Sequence, residues 1–336
     1  MRLLRWALYL AVLATLAGAL WWRQIGRGPL VGLVAPARGS VAEIVYATGA
    51  VEPERWAKVV PLVRKRVVDL CFCESQPVKK GDALGQLDDV EERALLAEMQ
   101  ATRDKRARDL ERATSLAQRG AGAQTAVDQA QTALAESEAR IAAQKERIDE
   151  LTLRAPMDGL VLRRDGQIGE IVGQSDVLFW VGQPKPLQVV AEVAEEDILK
   201  VREGQTALLR NDAVAGRRVE SKVGRITPKG DPQSKTFRVY LPLPDDTPLL
   251  IGMSVEANIV TREKANALVI PAEAIVGEAV FIFSGERLSR RPVKTGIRGA
   301  RMVEIVEGLS EADRIASPAR ADWRDGQRAR PAAPAP

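Results

Sequence analysis

The sequence predicts a multidomain, elongated chain of mixed α and β class, in which a helical rod is inserted into a small β domain. Three observations carry this. The stretch from Glu91 to Leu151 holds no proline and keeps its only glycines, Gly120 and Gly122, near its middle. Its second half carries a 3.5-residue apolar repeat, Val127, Ala130, Leu134, Ser137, Ile141, Gln144, Ile148 and Leu151, which reads as alternating a and d positions of a coiled coil with two polar interruptions. One strand pattern also occurs on each side of the stretch.

In chain order, the amino terminus comes first. Trp6 to Trp22 is about 17 uncharged residues, near the lower limit for crossing a bilayer, with Trp6, Tyr9, Trp21 and Trp22 placed as interfacial anchors. Ala17-Gly18-Ala19 resembles a cleavage site, so a cleaved signal competes with an uncleaved anchor. The anchor is the reading taken, and both readings export the rest of the chain. Arginines stand on both sides of the run, Arg2 and Arg5 before it and Arg23 and Arg27 after it, so charge counting does not orient it.

The two β halves follow from the repeat. Val78-Lys79-Lys80-Gly81-Asp82-Ala83-Leu84 precedes the rod and Val172-Gly173-Gln174-Ser175-Asp176-Val177-Leu178 follows it, and the same offset sets Val67 and Val68 opposite Val161 and Leu162. Each half is too small to bury a core alone, so the halves are expected to pair. Between them, two helices of about 28 residues would run about 42 Å out and back at about 1.5 Å per residue. Gly120 and Gly122 supply the reversal, because glycine accepts the positive φ that ends a helix. One long dimeric coiled coil is the alternative. In the first helix Leu95, Leu96, Met99, Leu110, Ala113, Leu116 and Ala117 are the apolar positions.

Composition excludes several classes of function. Apolar residues make up 46% of the chain but it has only six Trp, three Tyr and five Phe, which suits several small modules better than one large core. The net charge of +4 comes from 49 basic and 45 acidic residues interleaved along the chain, so no nucleic-acid partner is expected. There is no histidine, which removes the usual general base and most transition-metal sites. The pairs Asp88-Asp89, Glu195-Glu196 and Asp245-Asp246 lack companion motifs and read as turn or helix-start charges. No enzymatic role, catalytic residue, cofactor or metal is therefore expected. Cys71 and Cys73 stand two apart in a predicted strand, where a mutual disulfide would be strained, and read as small half-buried hydrophobes.

Further segments carry a family resemblance. Gly49-Ala50-Val51-Glu52-Pro53, the Val78 to Leu87 segment, Leu153-Arg154-Ala155-Pro156-Met157-Asp158-Gly159-Leu160-Val161, Ile251-Gly252-Met253-Ser254-Val255 and Val269-Ile270-Pro271-Ala272-Glu273-Ala274-Ile275 together resemble, in order and spacing, the periplasmic adaptors, or membrane fusion proteins of the HlyD type. Two positions depart from the family: Lys65 and Ser75 stand where glycine is usual, whereas the second half keeps Gly159 and Gly169.

The resemblance implies a cytoplasmic tail and anchor at 1–27, a first part of a membrane-proximal domain at 28–50, and a first lipoyl half at 51–90. It then implies the hairpin at 91–151, a second lipoyl half at 152–185, a β-barrel at 186–262, the rest of the membrane-proximal domain at 263–316, and a disordered Pro/Ala-rich tail at 317–336. A lipoyl-type carrier is set aside, because the hairpin replaces the turn that would present the carrier lysine, and Lys79 and Lys80 lie elsewhere.

The implied partners are an inner-membrane transporter, a TolC-like outer-membrane channel, the inner membrane itself, and further copies of the chain in a ring, often hexameric. The implied location is the bacterial inner membrane, single-pass, with most of the chain in the periplasm. The anchor and the fairly short hairpin look more like adaptors of MacB-type ABC exporters than like lipid-anchored adaptors of resistance-nodulation-division (RND) pumps. Some members dock on the channel through a spaced pattern around the turn, which Arg112, Leu116, Asp128 and Ala130 match and Ala113 and Ala123 do not. Arg112, Leu116, Gly120, Gly122 and Asp128 are the expected channel contacts, although Arg112 and Asp128 could instead form a local cross-hairpin bridge. A passive coiled-coil tether without a transport role is the alternative reading of the whole chain.

Overall fold

The computed structural model describes residues 28–214 and 219–332. The expected anchor falls on residues 1–27, outside the described residues; among those described, no helix is long and apolar enough to cross a membrane. The chain divides into two compact units, Glu52–Gln188 and the residues on either side of it.

The sequence repeat organises the first unit. Its two four-stranded sheets are built by exchange. One takes Lys65–Leu70 and Ala83–Leu87 from the first half with Thr152–Arg154 and Ile171–Val172 from the second; the other takes Gly159–Arg164 and Phe179–Gly182 from the second half with Trp56–Val59 and Pro77–Val78 from the first. Each half donates edge strands to the other, so neither sheet is complete without both halves. Hydrogen bonds repeat in the same register. Ser75 N–H donates to Val161 O and Gly169 N–H to Val67 O, both at 2.8 Å, while Cys71 N–H to Leu84 O is matched by Asp165 N–H to Leu178 O. Asp82 and Asp176 each accept the backbone N–H three residues earlier, at 2.8 Å. Between the sheets lies a shared core of Val67, Leu70, Leu84, Leu87, Val161, Leu178, Phe179 and Val181.

From this module the hairpin departs. Helix α1 spans Val90–Gln118 and α2 spans Gln124–Asp149. They run antiparallel within one chain, as Glu92 meeting Gln144 and Arg103 meeting Glu138 show, so the long dimeric coil is not formed. The seam is thin. Val127, Ala130, Leu134, Ile141 and Ile148 are half-buried, and Gln144 is the one buried residue recorded in either helix. Leu151 departs from the expected seam: α2 ends at Asp149, the chain turns at Glu150, and Leu151 enters the β core, where its carbonyl accepts Leu87 N–H at 2.9 Å.

Strand Lys65–Leu70 ends before the cysteines. With the chain no longer fully extended, the Cys71 and Cys73 Cα atoms stand 5.2 Å apart and the sulfurs are joined in a disulfide, which corrects the expectation of two separate thiols.

The second unit is organised by two long antiparallel strands, Ala37–Pro53 and Ser254–Pro271. Their pairing is interrupted by irregularities between Val260 and Arg262 and between Lys264 and Ala267, and residues 262–266 are all exposed, so each strand leaves one core and enters another. On one side Val45, Ala47, Val51, Val189, Ala191, Leu209, Leu241, Ala257 and Ile259 are buried. Residues 44–50, set within a 28–50 segment on sequence grounds, pair with residues 254–260 and share this core. On the other side, Met302–Glu307 pairs with Val269–Pro271, and a sheet built around Ala279–Ser284 carries further buried clusters.

The expected disordered tail is also corrected. Residues 317–332 pack onto the last module: Trp323 is 8% exposed and meets Phe281 edge-on, Ala329 is buried, and Arg330–Pro331 pairs in parallel with Leu30–Val31. Proline and alanine were read as tail composition, but the segment has one large aromatic to bury, and that decides its placement.

Candidate docking surface at the hairpin turn

The turn is fixed by backbone chemistry. Gly120 adopts φ +73°, its N–H donates to Ala117 O at 2.9 Å, and Ala121 N–H donates to Leu116 O at 3.0 Å. This nested pair satisfies the last carbonyls of α1. Gly122 serves differently: a Cβ there would stand 3.0 Å from Ala117 N, so it is needed for close approach. At the start of α2, Ala123 has the extended backbone of a cap but no side-chain acceptor; its carbonyl accepts Ala126 N–H at 3.0 Å.

Around this turn the side chains of Arg112, Leu116 and Asp128 are exposed. The Arg112 side chain is 72% exposed and its nearest carboxylate is Asp109, one turn back on its own helix, at 3.7 Å. Asp128 accepts from Gln124 Nε2 at 3.3 Å, also within its own helix. The cross-hairpin bridge between Arg112 and Asp128 is thus not formed, because each charge is satisfied within its own helix. Leu116, one turn from Arg112, is 44% exposed, a large apolar side chain with no core to join.

The root of the hairpin holds residues that sequence reading passed over. Lys65 on its strand reaches Glu92 at 2.9 Å and Glu91 at 3.4 Å in the first turn of α1, and its pKa is held above the ordinary 10.5, chiefly by the hydrogen bond to Glu92. Arg154 grips the other helix through Asp149 at 2.6 Å and also donates to Gly81 O at 3.0 Å. Buried Gln144 donates to Glu92 O at 3.1 Å, joining the helices near the base. The signals were present as anomalies: Lys65 as a missing glycine and Gln144 as a polar a or d position.

The split β module thus holds both roots of the inserted helix pair, and the turn of the pair is exposed. Residues 187–263 match the family model described as "CusB-like, beta-barrel domain". The chain is 27% identical over 324 residues to "Multidrug resistance protein MdtA" of Salmonella paratyphi C, covering 86% of this chain and 78% of that protein, and 26% identical over 323 residues to the MdtA of Escherichia coli K12. In fold it is similar to a MacA–MexA chimera carrying the Pseudomonas aeruginosa MexA hairpin, with TM-score 0.62 at 23% identity over 83% of this chain and 96% of the other. It is also similar to MacA from Actinobacillus actinomycetemcomitans, with TM-score 0.53 at 22% identity over 84% and 98%. Together these make the chain similar to efflux adaptor proteins in sequence and in fold, with residues 187–263 matched directly to an adaptor β-barrel model.

Proposed function

We propose that the chain is the adaptor subunit of an efflux or secretion assembly, linking an inner-membrane transporter to a TolC-like outer-membrane channel and acting by assembly and not by catalysis. The observation that carries this reading is the exposed trio Arg112, Leu116 and Asp128 beside a hydrogen-bonded glycine turn, with both charges left free of cross-hairpin pairing. In this reading the bulk of the chain lies in the periplasm behind a single-pass anchor, and copies form a ring. The hairpin length favours an ABC-type transporter; the barrel family, whose name refers to RND systems, favours an RND pump as the second reading. Copurification with the product of the neighbouring gene separates the two.

Asp128→Arg tests the docking trio. Crosslinking of the hairpin turn to the channel and export should both fall while helical content stays unchanged, since Asp128 makes only a surface contact within α2. Exchanging both charges, Arg112→Asp with Asp128→Arg, should not rescue, because the partner's charges stay fixed. Normal crosslinking and export in the single variant would remove these residues from the docking surface. Unchanged export on loss of the whole gene would favour the passive tether.

A further inference from the structure

We propose that the face formed by Leu30, Arg287, Arg328 and Arg330 binds the phosphates of anionic phospholipid at a bilayer surface. Four backbone facts place these side chains together. Arg328 and Arg330 flank buried Ala329 and so point outward on the same face of the carboxyl-terminal segment. Arg287 lies directly opposite Arg328 in an antiparallel bridge. Arg330 is paired with Leu30, which is 66% exposed although Val31 beside it is 1% exposed. The approach is close: a Cβ at Gly28 would overlap the Arg328 carbonyl, and Arg330 N–H donates to Pro29 O at 2.9 Å.

Two features of this face call for an anionic partner. Like charges directly opposite one another across strands repel, yet Arg287 and Arg328 are set in that arrangement. Among the described residues no carboxylate lies within ion-pair distance of Arg287, Arg328 or Arg330, whereas nearby Arg291 and Arg320 are paired with Asp313 and Asp322. The Arg287 guanidinium donates to Gly326 O at 2.8 Å, and Asp325 is occupied by Arg290 N–H at 2.8 Å. An exposed leucine among unpaired arginines suits the boundary between headgroups and acyl chains.

The length of chain before the face selects a bilayer as the source of the anion. The apolar run of the sequence ends at Trp22, so only residues 23–27 separate it from Gly28. Five residues span at most about 18 Å, which keeps the face within reach of the surface that such a run would enter. Guanidinium groups are suited to fork-like contacts with phosphate oxygens, and each basic residue near an anionic leaflet adds to binding.

This inference rests on the adaptor reading only for placing the face at a membrane, and it is tested with neither transporter nor channel present. The full chain is reconstituted into bilayer discs of phosphatidylcholine alone or of phosphatidylcholine with phosphatidylglycerol, and amide hydrogen exchange is followed in peptides covering 28–34, 286–292 and 324–332. Phosphatidylglycerol should slow exchange at least about fivefold, roughly the effect of one arginine at a charged surface. Raised salt and the variant R287Q/R328Q/R330Q should both abolish the slowing. Arg328→Gln alone, which touches no core residue, should weaken it if the triple variant folds poorly. Equal exchange in both discs would overturn the proposal. Equal protection by inorganic phosphate in phosphatidylcholine discs would overturn the bilayer as the source, and protection seen only after a transporter is added would assign the face to a protein.

Discussion

The two halves of the split β module use one hydrogen-bonding scheme and differ at two matching positions, one of which holds the hairpin. In the second half Gly159 has no room for a side chain, since a Cβ would stand 2.5 Å from Gly182 O, and Gly169 takes φ +95°. In the first half the equivalent positions are Lys65 and Ser75. Lys65 pairs with the edge strand Ile171–Val172 and sends its side chain to α1, while Ser75 holds φ +63° without being glycine. The same backbone is thus conformationally pure in one half and carries local cost in the other. The half that departs is the one whose strand anchors the first helix. A repeat can lose its symmetry where one copy acquires a second task.

The largest effect should come from forcing the second half to resemble the first. Gly159→Ala sets a methyl against backbone that cannot rotate away, so an overpacking loss of about 2–3 kcal/mol is expected in chemical denaturation. If the variant unfolds like the parent, the close approach at Gly159 is not what distinguishes the halves.

That comparison also marks how much was legible in the sequence. The offset between the halves was readable because both copies keep Gly or Ser before Asp before Leu, and the hairpin because proline is absent and glycine is confined to the turn. The exchange of edge strands was not, since a local pattern names strands but not their partners. Leu151 was misplaced because a heptad position and a β-core position look alike in an apolar residue, and only the helix end at Asp149 separates them. Of the residues expected at the turn, their exposure was readable from their place at the far end of the rod. The pairing of Arg112 and Asp128 was not, because it depends on rotamers chosen among several nearby charges. The packing of residues 317–332 rests on Trp323 together with buried Ala329 and the pairing of Arg330–Pro331 with Leu30–Val31, and only the tryptophan stood out in the sequence.

Next in size, Leu134→Asp puts a charge into the half-buried seam without touching the β core. A loss of about 2 kcal/mol is expected, confined to the hairpin, seen as reduced helical circular dichroism and faster proteolysis of α1 and α2 with the sheets retained. Unchanged helix and unchanged cleavage would remove Leu134 from the interface. Smaller still is Ser75→Gly. A left-handed non-glycine residue costs about 1–2 kcal/mol and glycine gives back about 0.5–1 through the unfolded chain, leaving a net gain of about 0.5–1. Loss of stability in this variant would mean that the Ser75 side chain offsets its own strain.

The smallest effect concerns Lys65, and its sign follows from the direction of its shift. Its pKa is raised from 10.5 by Glu92 and then Glu91, so the charged form is favoured in the folded state. A raised folded pKa contributes stability that is fully present below the unfolded value and fades as pH rises through the folded one. Lys65→Met, which keeps the apolar stem and removes the charge, should therefore be less stable than the parent by a constant amount at neutral pH. On the alkaline side the difference should shrink above about pH 10.5, as deprotonation makes the parent resemble the variant. Because Lys65 is solvent-accessible, added salt should reduce the same difference. The measurement is thermal stability of both proteins across pH, at low and high ionic strength. A difference that stays constant through the alkaline range would show that the Lys65 stem, and not its charge, holds the root of α1. The departure from glycine would then be a matter of packing alone.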